Sequence, residues 1–578
     1  MSEKHSKVEF IKESSNYLAG DIAAQLREDT DTFHGDAESL LKFHGTYQQD
    51  DRDDRGQVAA DGTKKKTYIF MVRTKIPGGK LTSEQLLAEL DLADELGNTT
   101  LRITSRQGLQ LHGVVKKNLK AVIRRINDIQ LSTLGACGDV NRNVMCCPAP
   151  YANNIYRETQ ALADQLAAYY APRSKAYHET WLTDTETGEK QLVGGATDDA
   201  SDGFDVEPIY GKRYMPRKFK MAIGFTFDNC IDIYANDLGL LAITEGDKII
   251  GYNVLAGGGM GQTPSNKKTF PAVAKRICFA TPEQVLQVVE AIFKVQRDYG
   301  NREDRKQARL KYVVANWGVE KFKAKVEEYY GGPLPDPHPA DVQEIKDHMG
   351  WDEQGDGLWF YGLNIENGRI KDTPTIQLKT ALREVCRTLN PGIRLTAHQS
   401  LIFTNIKPED KGTLEAILRK HNVPLTEEIS TVRRWSMACV AWPTCGLSIT
   451  ESERALPGLI DQMEVQLNRL GLSNERFTVR STGCPNGCAR PYNCDIGLVG
   501  RARDKYTIYL GGRALGDRIG FIYKDMVPSG EVVSTLTPVF AYFKQDRLPG
   551  ETLGDFCLRK GQADLAEFAE RNAATVGA

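Results

Sequence analysis

Leu101-Arg-Ile-Thr-Ser-Arg106-Gln-Gly-Leu-Gln110-Leu111 lies over Ile393-Arg-Leu-Thr-Ala-His398-Gln-Ser-Leu-Ile402-Phe403 without a gap. Each stretch reads as two short strands joined by a polar turn, and the flanks repeat with it. Ahead of the first copy, Tyr68 to Arg73 alternates as a strand and Pro77-Gly78-Gly79 turns the chain. Ser83 then caps a helix through Leu86, Leu87, Leu90 and Ala93 that ends at Gly97. Strands over Thr100–Thr104 and Leu109–Val114 follow, then a helix through Val122, Ile123, Ile126 and Ile129. The second copy has a strand over Trp359–Ile365 and a turn at Asn367-Gly368. A helix runs through Leu378, Ala381, Leu382 and Val385, and another lies near Leu414–Leu418. Two short strands can match by chance; agreement along a whole βαββα unit points to duplication.

A second pair of segments repeats as well. Asn236-Asp237-Leu-Gly239-Leu leads to Tyr252-Asn-Val-Leu255, and Cys494-Asp495-Ile-Gly497-Leu leads to Tyr506-Thr-Ile-Tyr-Leu510. The chain therefore reads as two copies of a two-part module, and a site between copies would lie on a pseudo-two-fold axis. The fold class expected is α+β, internally duplicated. Its parts are an arm over 1–66, half-domains over 67–138 and 351–428, and larger domains over 139–350 and 429–578.

Composition narrows the class. The chain has 578 residues, too many for one hydrophobic core. Apolar content of 41% and a net charge of −2 suit a soluble globular protein with no global pull towards nucleic acid or an anionic membrane. Met1-Ser-Glu-Lys-His leads into no apolar segment, and no stretch approaches a spanning helix. A cytoplasmic setting is expected. Twelve cysteines in so long a chain read as reduced thiols plus one metal site.

Four of those cysteines fall into two pairs, Cys439-Val-Ala-Trp-Pro-Thr-Cys445 and Cys484-Pro-Asn-Gly-Cys488. Four thiolates can close round an iron–sulfur cubane. Zinc sites usually pair cysteines two to four residues apart, so the longer spacer with Trp442 and Pro443 suits zinc less well. Buried inert thiols are the plainer reading. On spacing alone all three stay open. The first copy has Cys146-Cys147 at the comparable place, which argues for one cluster and not two.

Ser436-Met-Ala-Cys439 through Cys445, with Thr482-Gly-Cys-Pro-Asn-Gly-Cys488-Ala-Arg-Pro-Tyr492, resembles the assimilatory sulfite and nitrite reductases that hold sirohaem beside a 4Fe-4S cluster. The resemblance runs from about Phe43 to Asp555. It implies ferredoxin-like half-domains, a pseudo-two-fold three-domain architecture, and sirohaem and 4Fe-4S as cofactors. Cys439, Cys445, Cys484 and Cys488 would ligate the cluster, with the sulfur of Cys488 shared with the sirohaem iron. The implied reaction is reduction of sulfite to sulfide by six electrons in sulfur assimilation.

Cationic motifs carry the rest. In Tyr214-Met-Pro-Arg217-Lys218-Phe219-Lys220 an extended chain puts the two lysines on one face, where a bound anion would relieve their repulsion. A solvated strand edge is the alternative from the residues alone. Arg73 and Arg142 would each be a structural ion-pair partner on the same footing. The resemblance makes Arg73, Arg142, Lys218 and Lys220 the group that binds the substrate oxyanion. Nitrite-specialised relatives typically carry Asn at the place of Lys220, which favours sulfite. Sirohaem carries eight carboxylates, and the candidates to meet them are Arg106, Gln110, His112, Arg217 and a basic helix carrying Arg302, Arg305, Lys306, Arg309 and Lys311, with Cys488 as the axial ligand.

Gly257-Gly258-Gly259-Met260-Gly261 is a weak dinucleotide signal, followed by Pro264 and by no Walker-type lysine, and a tight turn is preferred. Electrons should then come from another protein, ferredoxin or an NADPH-dependent flavoprotein subunit. Glu353-Gln-Gly-Asp-Gly-Leu-Trp-Phe-Tyr361 and Ala489-Arg490-Pro-Tyr492 resemble the ferredoxin-dependent enzymes more closely. Rival readings are a sirohaem nitrite reductase and a metal-stabilised scaffold protein without sirohaem. Cys146, Cys147 and Cys494 are left without a role.

Overall fold

The computed structural model describes residues 5–58, 62–63, 66–174, 176, 180–183, 190–194, 207–263 and 266–572. Residues 1–4 and Pro264, on which the sequence reading drew, lie outside them.

The duplication organises four five-stranded sheets in two matched pairs. The first sheet runs in the order Thr46–Asp50, Tyr68–Thr74, Leu109–Val114, Leu101–Ile103 and Arg369–Ile370. The second runs Gly350–Glu353, Trp359–Leu363, Leu401–Ile406, Gly392–Leu395 and Lys80–Leu81. Each half-domain thus gives one short strand to the edge of the other sheet. Lys80–Leu81 pairs with Ile393 and Arg394, and Arg369–Ile370 pairs with Leu101 and Arg102. The exchange passes through matched glycines. A Cβ at Gly79 would meet the Leu395 carbonyl oxygen at 2.4 Å, and one at Gly368 would meet that of Ile103 at 2.2 Å.

Both half-domains consequently share one hydrophobic core, with Leu86, Leu90, Ile126, Leu382 and Leu418 in a single buried cluster. At about 1.5–3 kcal/mol for each buried Leu or Ile, neither half keeps that core if separated. The first half-domain takes its edge strand, Thr46–Asp50, from the segment read as an arm.

The helix expected to start at a Ser83 cap starts one residue earlier. Thr82 is the cap: its hydroxyl accepts from Gln85 N at 3.1 Å, and the Gln85 side chain accepts from Thr82 N at 3.0 Å. Ser83 Oγ is spent instead on Pro391 O in the other half-domain, at 2.7 Å.

The larger domains match in topology. Met145–Cys146, Met221–Phe225 and Leu238–Glu245 run parallel, then Lys248–Ala256 and Lys275–Ala280 antiparallel. Ser436–Ala438, Val479–Thr482 and Ile496–Ala502 run parallel, then Lys505–Leu510 and Phe521–Pro528 antiparallel. The repeated aspartate does the same work in each. Asp237 accepts from Lys220 N at 3.0 Å and Asp495 from Thr478 N at 2.9 Å, each the residue just before the middle strand. No helix among the described residues is long and apolar enough to cross a membrane.

Candidate active site

The cysteine loops hang from the ends of two parallel strands. Cys439 follows Ser436–Ala438, and its N–H donates to Ser481 O at 3.0 Å. Cys484 follows Val479–Thr482 through Gly483, where a Cβ would meet Ser448 Oγ at 2.1 Å, so only glycine fits. Gly483 N donates to Cys439 Sγ at 3.3 Å and Asn486 Nδ2 to Cys484 Sγ at 3.5 Å. Amide donors of this kind stabilise thiolate sulfur and tune a cluster.

The first copy supplies the floor of the site. Gln262 N donates to Pro485 O at 3.0 Å, and a Cβ at Gly487 would meet Met260 O at 2.8 Å. The glycine run at 257–261 is therefore a turn packed on the cysteine loop. Lys311 Nζ clamps it through Gly259 O at 3.0 Å and Gly261 O at 2.6 Å, and also donates to Phe270 O.

Burial, and then the charge of neighbouring Cys488, pushes the Cys484 thiol up to about 12 and raises Cys439 and Cys445 as well. The longer spacer of the first pair suits zinc less well, whereas a cubane takes one thiolate on each of its four irons.

Cations from the first copy face this centre. Arg73 and Lys218 both lie within electrostatic reach of the Cys488 thiol, which is exposed, unlike the other three. Burial drives Lys218 and Lys220 well below the ordinary lysine range. Arg217, Arg309 and Arg142 add to it at Lys218, and Arg106 and Lys218 add to it at Lys220. Among the described residues neither ammonium has a hydrogen bond or salt bridge. Phe219, wholly buried between them, points the other way and anchors the segment in the core.

Arg142 is aimed by its own loop: Nε donates to Gly138 O at 2.9 Å and Nη1 to Ala136 O at 3.2 Å. Arg73 donates to Cys137 Sγ at 3.0 Å. With its amide oxygen turned to the guanidinium, Gln110 accepts from Arg73 at 2.5 and 3.2 Å.

The expected sirohaem contacts divide. Arg106 reaches Asn236 Oδ1 and Asn143 O, both at 2.6 Å, yet its Nε is buried without a partner. Burial and nearby Arg142 lower it to about 9. His112 is buried with neither ring nitrogen partnered among the described residues, and burial with Arg369, Arg102 and Arg73 holds it well below the ordinary histidine range. Orphaned donors of this kind call for an acceptor the chain does not itself provide.

The basic helix expected over Arg302–Lys311 does not form. Arg305–Gln307 is a single 3-10 turn, and the helix begins at Leu310. Its arginines are drawn out of helical register by carboxylates from elsewhere. Arg305 grips Asp139 at 2.6 and 2.9 Å, Arg309 grips Asp237 at 2.7 and 2.8 Å, and Arg302 pairs with Glu9. Arg217 stands 3.7 Å from the same Asp139, and Lys306 is exposed.

Three residues escaped the sequence reading. Gln399 donates to Ala438 O at 2.8 Å and accepts from Ala438 N at 3.2 Å, fixing the backbone just before Cys439. Gln107, its partner in the gapless repeat, does the same to Cys146 at 2.8 and 3.2 Å. The repeat itself was the signal. Arg52 lies in a charge run that reads as solvated surface. Its backbone N donates to Pro443 O at 3.1 Å, and its Nη1 donates to Cys445 O and Ser448 O at 3.0 and 2.5 Å. Cys494 is a buried thiol bonded to Pro491 O and Ile496 O, both at 3.3 Å, and is not turned to the cluster set.

Comparison with known proteins places the chain in a family. The family described as "Nitrite/Sulfite reductase ferredoxin-like half domain" matches residues 62–129 and 352–421. The family described as "Nitrite and sulphite reductase 4Fe-4S domain" matches 137–334. That span lies in the first copy, which lacks the four cysteines. The sulfite reductase [NADPH] hemoprotein beta-component of Staphylococcus haemolyticus is 43% identical over 97% of this chain and 96% of its own. The sulfite reductase [ferredoxin] of Synechococcus elongatus is 42% identical over 98% and 91%. Among solved structures, the Mycobacterium tuberculosis NirA protein superposes with a TM-score of 0.78 at 25% identity, covering 97% of this chain and 98% of that one.

Proposed function

The chain belongs to the nitrite and sulfite reductase family, and from that premise we propose how it reduces sulfite to sulfide with electrons delivered by another protein. Its cofactors are sirohaem and a 4Fe-4S cluster, which when bound supply electrons singly and the iron at which the sulfur oxyanion reacts. Cys439, Cys445, Cys484 and Cys488 would hold the cluster. The unpartnered nitrogens of Arg106 and His112 would meet carboxylates of sirohaem, with Gln110, Arg217 and Lys306 as further donors; Arg305 and Arg309, already paired with Asp139 and Asp237, could offer only their remaining N–H groups, and Cys488 would reach the sirohaem iron.

The observation that carries the proposal is a pair of half-buried lysines, Lys218 and Lys220, with no hydrogen bond or ion pair among the described residues, the first within electrostatic reach of the Cys488 thiol. Without an anion, desolvation and the neighbouring guanidiniums disfavour their charge. A sulfite dianion reverses that balance, so Lys218 and Lys220 take up protons as it binds and hold its oxygens with Arg73 and Arg142. Preorganised cations stabilise the negative charge that gathers on oxygen as S–O bonds weaken. A lysine whose acidity is raised by its surroundings then gives its proton to a departing oxygen more readily than an ordinary one, so that each oxygen leaves as water.

The donor is an electron-carrying protein, ferredoxin or an NADPH-dependent flavoprotein subunit, and a cytoplasmic setting belongs to the same proposal. The decisive assay compares sulfide from sulfite with ammonia from nitrite, under reduced ferredoxin and under NADPH with a flavoprotein reductase. A higher kcat/KM for sulfite is expected. A higher value for nitrite would replace the reading with nitrite reduction, and a purified protein without chlorin absorption would replace it with a scaffold.

A further inference from the structure

The first copy holds a second convergence of ligand groups that the reaction does not use. Cys147, Asp228, Cys230 and His348 are all buried, and one ligand atom from each lies within 4.8 Å of all the others. Cys147 Sγ is 3.2 Å from Asp228 Oδ2 and 3.4 Å from His348 Nε2, and that nitrogen is 2.8 Å from the same carboxylate oxygen. Tetrahedral edges built from metal distances of about 2.3 Å for sulfur and 2.0–2.1 Å for nitrogen and oxygen run from about 3.3 to 3.8 Å. The quartet is already near that size.

The position is the pseudo-symmetric counterpart of the iron–sulfur loops. Cys147 follows its strand directly, as Cys439 does, and Gln107 clamps the residue before it as Gln399 clamps Ala438. Asp228 and Cys230 follow Met221–Phe225, as Cys484 and Cys488 follow Val479–Thr482. Here one ligand atom from each of the four residues lies within 4.8 Å of the others, close enough to share a single ion.

The surroundings hold the ligands in place. Asp228 Oδ1 is committed to the N–H groups of Cys230 and Lys346, at 3.0 and 3.1 Å, which leaves Oδ2 facing the sulfur and the imidazole. His348 sits in left-handed backbone, φ 57°, and any Cβ at Gly362 would meet its carbonyl oxygen at 1.9 Å. A strained histidine persists only where its surroundings over-determine it. His348 also borders a cleft of ≈ 440 Å³ with Tyr151, Phe360, Arg434 and Trp435, which provides a way in.

We propose that Cys147, Asp228, Cys230 and His348 bind one zinc ion, a closed four-coordinate site that braces the first copy where the second carries its cluster. Two sulfurs with one nitrogen and one oxygen, all buried, suit zinc among the common divalent ions. Binding displaces the two thiol protons and transfers no electrons.

The test is the metal content of the holoenzyme after growth with zinc and passage over a chelating resin. About one zinc per chain is expected beside the iron, falling at least about five-fold in Cys147→Ser and Cys230→Ser with iron per chain unchanged, and unaltered in Cys445→Ser. Should the variants not fold, zinc K-edge absorption of the unaltered enzyme decides. Two sulfur scatterers near 2.3 Å and two lighter ones near 2.0 Å are expected. Zinc below about a tenth per chain, zinc retained in Cys230→Ser, or a sulfur-free shell would overturn the assignment and leave a hydrogen-bonded quartet that keeps its protons.

Discussion

Lys220 and Thr478 occupy the same place in the two copies, each giving its backbone N–H to the repeated aspartate. Lys220→Asn should shift preference towards nitrite, because a neutral amide favours a dianion less than a monoanion. A sulfite-to-nitrite ratio of kcat/KM equal to that of the unaltered enzyme would contradict this. Cys488 is the one exposed thiol of its set and lies in reach of Arg73 and Lys218. Cys488→Ser should abolish magnetic coupling between cluster and sirohaem in EPR, together with sulfide formation. Persistence of both would remove its bridging role.

At the scale of elements, the Cys439–Cys445 loop is held from outside by Arg52, whose guanidinium also stands 5.1 Å from the Trp442 ring. Hydrogen bonds to a charged group contribute about 1.5–3 kcal/mol, so Arg52→Ala should speed loss of cluster absorption in air by roughly ten-fold or more. An unchanged bleaching rate would show that the loop holds itself. The helix Ser83–Leu96 carries a different device. Glu89 is fully buried, its Oε1 accepting from Thr74 Oγ1 at 2.6 Å and its Oε2 without a partner, and burial pushes it up to about 7. Below pH 4.5 both folded and unfolded states hold this proton. Between 4.5 and about 7 only the folded state does, so its contribution is lost as pH rises, up to roughly 3 kcal/mol. Glu89→Gln should therefore leave Tm near that of the parent at pH 4.5 and raise it at pH 8. A difference that does not grow with pH would refute the assignment.

Across the whole molecule, Asp232 ties the copies together. It lies in the first copy and accepts from Arg480 at 3.1 Å and Asn493 at 3.0 Å, with the Arg490 guanidinium ion-paired to it at 2.8 Å, all from the second. Removing one partner of a buried pair costs about 3–5 kcal/mol, because the charges left behind stay desolvated. Asp232→Ala should lower Tm markedly and loosen the seam on which cations and cysteines meet. A Tm within a degree or so of the parent would show the seam to be held by apolar packing alone.

The duplicated α+β order and the four-cysteine set were legible in the chain, because strand alternation, helical spacing and thiol spacing are local properties that no distant contact alters. The strand exchange was not, since Lys80–Leu81 and Arg369–Ile370 are too short to carry a period and find partners only across the pseudo-two-fold. Nor was the fate of the basic segment, read as a helix from its charges and unwound by Glu9, Asp139 and Asp237. Sequence alone determined which chemical groups are present and in what repeating order. Tertiary structure decided which charges are spent on one another and which stay unpaired beside Cys488, because desolvation and pairing depend on neighbours that the chain brings together only on folding.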